Sequence, residues 1–396
     1  MLTVSVAQRR ARLGWRHRLA AEALAGSPVE VATDLVALHG TDPSSVYLAA
    51  WARMADGDPA AVQRALYEER TLLRLLAMRR TVFVTTLELA AVLQAACSRS
   101  VAARERRKLV SFLAGAGVGE DAVEIQRWLS ETERVLLRAL RDRGEATAAE
   151  LATDDPRLRT EILLPGPAGT TARQNAASRL LFVLAAEGKV VRGRPRGSWT
   201  SHQYRWSPVE RWLPGGLAEW DTQQAEVELG RRWLRAFGPG AAEDLGWWAG
   251  WTKSQVTRVL AALGAEPVAL DSGAGYLLPD DLEPVAEPEP WAALLPALDP
   301  TPMGWHQRGW FLGEHEPYLF DRTGNIGPSL WWNGEIVGGW AQDRDGRIVV
   351  RFLRDVGSEA VAAAQAKADL LADRLGGVRL TARSRGKTWL EQELTG

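Results

Sequence analysis

Three side chains able to do chemistry fall within four consecutive positions of the segment DLVALHGTDPSSVYLAAWARM, residues 34–54: His39, Thr41 and Asp42. An imidazole exchanges protons near working pH, and a hydroxyl and a carboxylate stand beside it. Asp42 followed by Pro43 reads as a helix N-cap with proline at the first helical position, where its missing N–H costs nothing. Gly40 lets the backbone turn sharply and lets a ligand approach closely. The helix that follows places Val46, Leu48, Ala49 and Trp51 at core-facing spacing. The knot at 39–43 therefore stands at a helix entrance, where unbonded backbone N–H groups also point outward. The bland alternative is that Asp42 caps, Thr41 supports the turn, and His39 is a polar residue at a helix end.

Composition narrows the classes. A chain of 396 residues holds two to four compact units, and with 46% apolar residues it buries real cores. The formal net charge of −1 argues against wholesale attraction to nucleic acid but leaves local patches open. A single cysteine, Cys97, excludes an intrachain disulfide framework and a Cys-rich zinc site, and fits a reducing, cytoplasmic setting. The N-terminal stretch has no apolar run long enough for a signal peptide or membrane span. His17, His202, His306 and His315 have no Cys, Asp or Glu at metal-ligand spacing, and neither a P-loop nor a dinucleotide fingerprint is present. No metal and no cofactor is expected.

The elements that must position the knot come in repeated order. Residues 2–25 read as a helix with Val6, Leu13, Leu19 and Leu24 inward and Arg9, Arg10, Arg12 and Arg16 outside. A helix after Ser27-Pro28, the knot helix, a helix over 59–68 and a strand over 81–85 give the order of a winged-helix unit. A helical segment, 87–113, carries Arg99, Arg104, Arg106, Arg107 and Lys108, either a solvated face or a phosphate contact. Residues 121–206 repeat the pattern. Thr147 and Glu150 stand at capping-box spacing, and a recognition helix is expected from Thr171 to Gly188 with Arg173, Gln174, Asn175 and Arg179 outward. A hairpin turns around Pro195-Arg196-Gly197. Lys189, Arg192, Arg194, Arg196 and Arg205 along it suit a nucleic-acid groove and its phosphates.

Residues 222–279 give a third copy whose hairpin lacks basic residues. The acidic, proline-rich stretch 280–290 reads as a linker. Beyond it, short alternating segments with turns at Asn333-Gly334 and Asp345-Gly346 indicate a β-domain, with its tryptophans mostly core. A helix and a last strand, VRLTAR, complete it, and Arg379, Arg383, Arg385 and Lys387 form a weaker basic cluster. The expected class is α+β: three tandem winged-helix units, 1–120, 121–215 and 216–280, then a linker and a β-barrel-like domain over 281–396.

The block LVALHGTDPSSVYLAAWARM, the block RTLLRLLAMRRTVFVTT and the sequence ALLPALDPTPMGW at 293–305 resemble the AlkZ and YcaQ family of bacterial winged-helix DNA glycosylases over nearly the whole chain. That resemblance implies three winged helices and a β-barrel-like domain forming a concave basic surface on duplex DNA, and excision of N-alkylated purines. The family's motif is Gln-apolar-Gln or Gln-apolar-Asp just before the helix start. Aligned on Asp42-Pro43, the motif positions here are His39, Gly40 and Thr41. The resemblance then makes His39 and Thr41 the residues that position water, with Asp42 in support. A non-catalytic DNA-binding protein, either a lesion sensor or a transcriptional regulator, is the alternative of another class. Three units in one chain make dimerisation unnecessary, so a monomer is expected.

Overall fold

Ser5 opens the first long helix, its hydroxyl accepting from the Gln8 amide at 3.2 Å. In the computed structural model, which describes residues 1–166, 170–380 and 386–395, this helix is preceded by a two-residue strand, β1 (Leu2–Thr3), and runs only as α1 (Val6–Arg16). The single helix expected over 2–25 is thus shorter. Arg9 and Arg12, expected outside, are 4% and 2% exposed. The reason is the stretch expected as a linker. Asp281 accepts from Arg12 Nη1 at 2.9 Å and Arg16 Nη2 at 2.5 Å, Gln8 exchanges hydrogen bonds with the Val285 backbone, and Trp15 Nε1 donates to the Ala286 carbonyl. Residues 281–286 are a strap laid along α1, and Arg9 lies 4.0 Å from the centre of the Trp310 ring.

After α2 (Pro28–Asp34) come the short β2 (Leu38–His39), α3 (Pro43–Trp51), α4 (Pro59–Gln63), β3 (Leu72–Leu76) and β4 (Val82–Thr86). They form an antiparallel sheet in the order β2-β4-β3, with His39 opposite Phe83 and Arg74 opposite Val84. All nine residues of α3 are buried. A helix apolar on every side needs covering on every side, and the cover comes from the far end of the chain: Leu294, Leu330, Val337, Trp340 and Leu371 share its core.

The next stretch is helical as expected, α5 (Leu87–Leu93) running through a wide turn into α6 (Arg99–Gly115). It is followed by α7 (Ala122–Arg143) and α8 (Ala148–Leu151), which opens on the anticipated Thr147–Glu150 capping box. Then the structure departs from expectation. Residues assigned to the start of a recognition helix are a strand, β6 (Thr171–Asn175), paired with β5 (Glu161–Pro165). The helix itself, α9 (Ala176–Ala186), begins only after Asn175, whose Oδ1 accepts from the Ser178 amide at 2.9 Å. Arg173 therefore projects from a hairpin rather than from a helix face. Arg179, expected outward, is buried against Glu105. The basic hairpin is present as β7 (Val190–Pro195) and β8 (Tyr204–Pro208).

A third group comprises α10 (Thr222–Phe237), α11 (Ala242–Ala249), α12 (Lys253–Ala262) and the hairpin β9 (Glu266–Leu270) and β10 (Gly273–Leu277); β1 joins β9 in parallel. The C-terminal part holds β11 (Ala292–Leu295), the single turns α13 (Gly309–Leu312) and α14 (Glu316–Leu319), then β12 (Ser329–Trp332), β13 (Glu335–Gln342), β14 (Ile348–Phe352), α15 (Gly357–Leu375) and α16 (Trp389–Thr395). Among the described residues its sheet is an open antiparallel one, β11-β12-β13-β14, not a closed barrel. The outer strands stay unjoined while α15 and α16 pack on the sheet. Trp305, Trp331 and Trp340 are core, as expected. Residues 378–380 carry no strand; the remainder of the expected last strand, 381–383, and Arg385 of the expected basic cluster lie outside the described residues.

One buried ion pair ties the ends together. The Arg53 guanidinium meets the Asp299 carboxylate with both forks, at 2.9 and 2.7 Å, and both side chains are wholly buried. Its other three N–H groups go to the carbonyls of His17 and Ala49 and to Thr301 Oγ1. All five donors are thereby satisfied, the condition under which a buried arginine is tolerated. Among the described residues no helix is long and apolar enough to cross a membrane.

Candidate active site

The knot is held from two sides. On one, β2 zips onto β4 and the Gly40 amide donates to the Val82 carbonyl at 2.8 Å. On the other, Pro43 starts α3 with Asp42 at the N-cap position. Asp42 does not cap through its side chain, contrary to the simple reading. Its Oδ2 accepts instead from the Ser44 hydroxyl at 2.9 Å and lies 3.0 Å from the Ser45 hydroxyl, whose single proton is shared with the Ala297 carbonyl at 2.7 Å. Oδ1 accepts from no described residue, so one carboxylate oxygen of a side chain only 8% exposed is left for other work. The His39 ring is equally buried and meets Phe83 edge to face at 5.4 Å. Thr41 is exposed.

These three residues line one cleft of about 250 Å³. Arg192 and His202 enter it from the basic hairpin, Arg80 and Thr81 from the β3–β4 turn, Phe182 from α9, and Asp321 and Asn325 from the loop after α14. Residues from four separate stretches of chain thus converge on the knot. Burial holds the Arg192 guanidinium below its ordinary range, against the attraction of Tyr204, and it lies 5.3 Å from the rings of Tyr204 and Trp206. For Asp321, burial alone would push the carboxyl up. The Asn325 and Thr323 amides and side chains, all donating to it, outweigh that and hold it below its ordinary range. The cleft accordingly combines two imidazoles, two hydroxyls, two carboxylates and two guanidiniums, a set suited to activating water and to balancing charge on a phosphorylated substrate.

A model of the family described as DNA glycosylase AlkZ-like matches residues 32–374. The chain belongs to the AlkZ-like DNA glycosylase family. Among solved structures, the DNA glycosylase AlkZ of Streptomyces sahachiroi shares its fold, with a TM-score of 0.73 at 21% identity over 96% of this chain and all of that one. No curated protein matches.

For a member of the AlkZ-like family, the other anticipated DNA contacts are unevenly placed. Arg196 is exposed at the hairpin tip. Arg194 is exposed but paired with Glu68 at 2.9 Å, Arg205 with Glu145 at 2.6 Å, and Arg173 with Glu161 at 3.0 Å. On α6, Arg106 is clamped between Glu133 and Glu187, and Lys108 bonds Glu105 at 3.0 Å, while Arg107 is exposed. Of the anticipated residues, then, the structure brings His39, Thr41, Asp42 and Arg192 together and leaves the rest outside the cleft lining. Arg80, Asp321 and Asn325 were not anticipated. Asp321-Arg322-Thr323-Gly324-Asn325 has the composition of a tight Asx turn, and Arg80 follows a second arginine before a strand; neither pattern points to a distant cleft.

Proposed function

We propose that this protein hydrolyses the N-glycosidic bond of alkylated or bulky-adducted purine nucleotides in duplex DNA, as a monomeric base-excision enzyme of the cytoplasm serving repair or genotoxin resistance. The supporting observation is the convergence of His39, Thr41 and Asp42 with Arg192 and His202 of the basic hairpin around one cleft. The proposed layout is three winged-helix units, 1–120, 121–215 and 216–280, followed by the β-rich region 281–396.

A purine carrying a positive charge is already a good leaving group, so the reaction needs little acid. It needs a held water and support for an oxocarbenium-like sugar. Neutral His39 accepts the proton as the water oxygen bonds to C1′; the C1′–N bond breaks with its electron pair going to the base, quenching the base's charge. Thr41 Oγ1 holds the same water, and Asp42 faces the positive charge that builds on the sugar. Arg192, Arg194, Arg196, Arg205 and Arg173 serve the phosphates, with Arg106, Arg107 and Lys108 farther along. Ion pairs at exposed arginines are worth about 0–1 kcal/mol, so phosphate can replace the carboxylates of Glu68, Glu145 and Glu161 at small cost.

The test is base release from duplex DNA carrying N7-methylguanine, by wild type, His39→Ala and Thr41→Ala. Release by wild type that is lost in His39→Ala, with DNA affinity intact, is the expected result. Tight binding without release, on this lesion and on a panel of bulkier cationic adducts, would replace the enzyme reading by the non-catalytic DNA-binding one.

A further inference from the structure

The β3–β4 turn places two arginines at consecutive left-handed backbone positions, Arg79 at φ 50° and Arg80 at φ 63°. Residues with a Cβ adopt this conformation at a cost of about 1 kcal/mol or more each, and here the turn sends them to different neighbours. Arg80 goes to the His39 cleft and to Glu105, at 3.2 Å. Arg79 goes to α11, where its guanidinium carbon lies 3.9 Å from the centre of the Trp247 ring. Arg308, more than two hundred residues away in sequence, reaches the same ring at 4.9 Å and Phe320 at 4.7 Å. Phe320 immediately precedes Asp321 of the cleft.

Neither arginine has an ion pair among the described residues. Arg79 donates no hydrogen bond to them, and Arg308 donates one, from Nε to the Trp305 carbonyl at 3.1 Å. The acids that feel Arg308 are Glu316 and, more weakly, Asp244. Asp244 is committed elsewhere: its Oδ1 accepts from the amides of His306 and Gln307, at 2.9 and 2.8 Å, and its Oδ2 from that of Ala241, at 3.0 Å. It therefore pins the segment that carries Arg308 to α11 without forming an ion pair with the arginine. Burial, and then the charge of Arg308, bring Arg79 down to about 10, which leaves it protonated at neutral pH. Two like charges are thus assembled on one tryptophan. A guanidinium stacked on a ring keeps its in-plane N–H edge available, and that edge matches two phosphate oxygens.

We propose that Arg79 and Arg308, set on Trp247, form a phosphate clamp for the DNA strand that enters the His39 cleft, holding its backbone beside the cleft. Arg79 is next in sequence to Arg80, which lines the cleft, and Arg308 touches Phe320, which is next in sequence to Asp321 of the cleft. The clamp rests on the glycosylase reading and adds to it a second hold on the strand, contributed by the β3–β4 turn and the C-terminal region with Trp247 of α11 between them.

The experiment is equilibrium binding of an undamaged duplex across a salt series, for wild type, Arg79→Gln/Arg308→Gln, Arg79→Lys/Arg308→Lys and, as control, Arg347→Gln. Arg347 bonds Asp343 and Asp345 in an exposed turn. The slope of log K against log salt should fall by roughly 1 for each phosphate that the glutamine pair no longer neutralises, and stay near wild type in the lysine pair and the control. Thermal melting checks the fold, and if the glutamine pair melts early the two single glutamine variants carry the measurement. An unchanged slope in a folded glutamine variant would overturn the clamp while leaving the glycosylase reading standing. A wild type that does not bind duplex DNA would overturn both.

Discussion

The Arg74 guanidinium occupies the space where Gly40 would otherwise carry a side chain. Arg74 Nη1 donates to the Gly40 carbonyl at 3.3 Å, and a Cβ placed on Gly40 would come within 3.3 Å of that nitrogen and 3.4 Å of the Phe83 carbonyl carbon and Val82 Cγ1. Arg74 is 3% exposed, forms no ion pair with a described residue, and is packed near the hydroxyl of Tyr67 and the ring of Tyr204. The glycine at the centre of the His-Gly-Thr motif is therefore matched to an arginine two strands away. Gly40→Leu should overpack this site and cost about 1–3 kcal/mol in denaturant unfolding. Combined with Arg74→Ala, it should cost less than the sum of the single changes, by about 0.5 kcal/mol or more. Additive losses would show that the two positions do not share one volume.

The buried pair Arg53–Asp299 joins the turn after α3 to the segment after β11, so breaking it tests whether the two ends of the chain fold as one core. Asp299→Asn leaves a buried guanidinium without its charge partner and should lower stability by about 3–5 kcal/mol. Replacing both residues by leucine should recover much of that loss. If Asp299→Asn unfolds at the wild-type denaturant midpoint, the pair does not hold the core.

The parts of this structure that were legible in the sequence are those decided locally. Gly40 before Asp42-Pro43 marks a turn and a helix start whatever surrounds it. Thr147 with Glu150, and Asn333-Gly334 between apolar strands, are equally self-contained. The β5–β6 hairpin was not legible, because residues 171–175, TARQN, are polar and held by strand pairing rather than by a buried face. Arg12 and Arg9 were read as outward from helical spacing alone. Asp281 and Trp310, which bury them, are hundreds of residues away. The same holds for the site: the knot is written in one stretch, whereas Arg80 and Asp321 reach it only through tertiary packing that no local pattern encodes.

His17 supplies a pH test of the same core. Arg53 donates to Thr301 Oγ1, whose hydroxyl can then donate to His17 Nδ1 (2.8 Å), leaving Nε2–H to donate to the Ala236 carbonyl (3.1 Å). That arrangement requires a neutral ring. Burial, followed by the charge of Arg53, lowers the His17 pKa from 6.5 to about 3. Between those values the unfolded chain binds a proton that the folded chain refuses, so stability falls as pH falls through this window, by up to about 1.4 kcal/mol per pH unit. His17→Gln should be less stable at neutral pH but show a flatter decline between pH 6 and 4. Parallel declines for the two proteins would mean that another group controls the acid limb.

Asp321 offers the sharpest test of the cleft's electrostatics. Its carboxylate is fixed by the Thr323 and Asn325 amides at 2.8 and 3.0 Å, with Asn325 Nδ2 on its other oxygen at 3.1 Å. With a depressed pKa, it stays ionised below its ordinary value of 3.8, and the stability it contributes is present above that value and lost only as pH falls through the depressed one. A permanent negative charge in the cleft favours a positively charged sugar in the transition state more than it favours the ground state, in which the charge lies on the base. Asp321→Asn keeps the shape and most of the turn's hydrogen bonds but removes that charge. Base release should fall by about 100-fold, while affinity for undamaged duplex DNA is unchanged or slightly tighter, since a like charge near the phosphates is gone. A variant that releases base at the wild-type rate would assign Asp321 to the turn alone and leave Asp42 as the carboxylate that acts on the sugar.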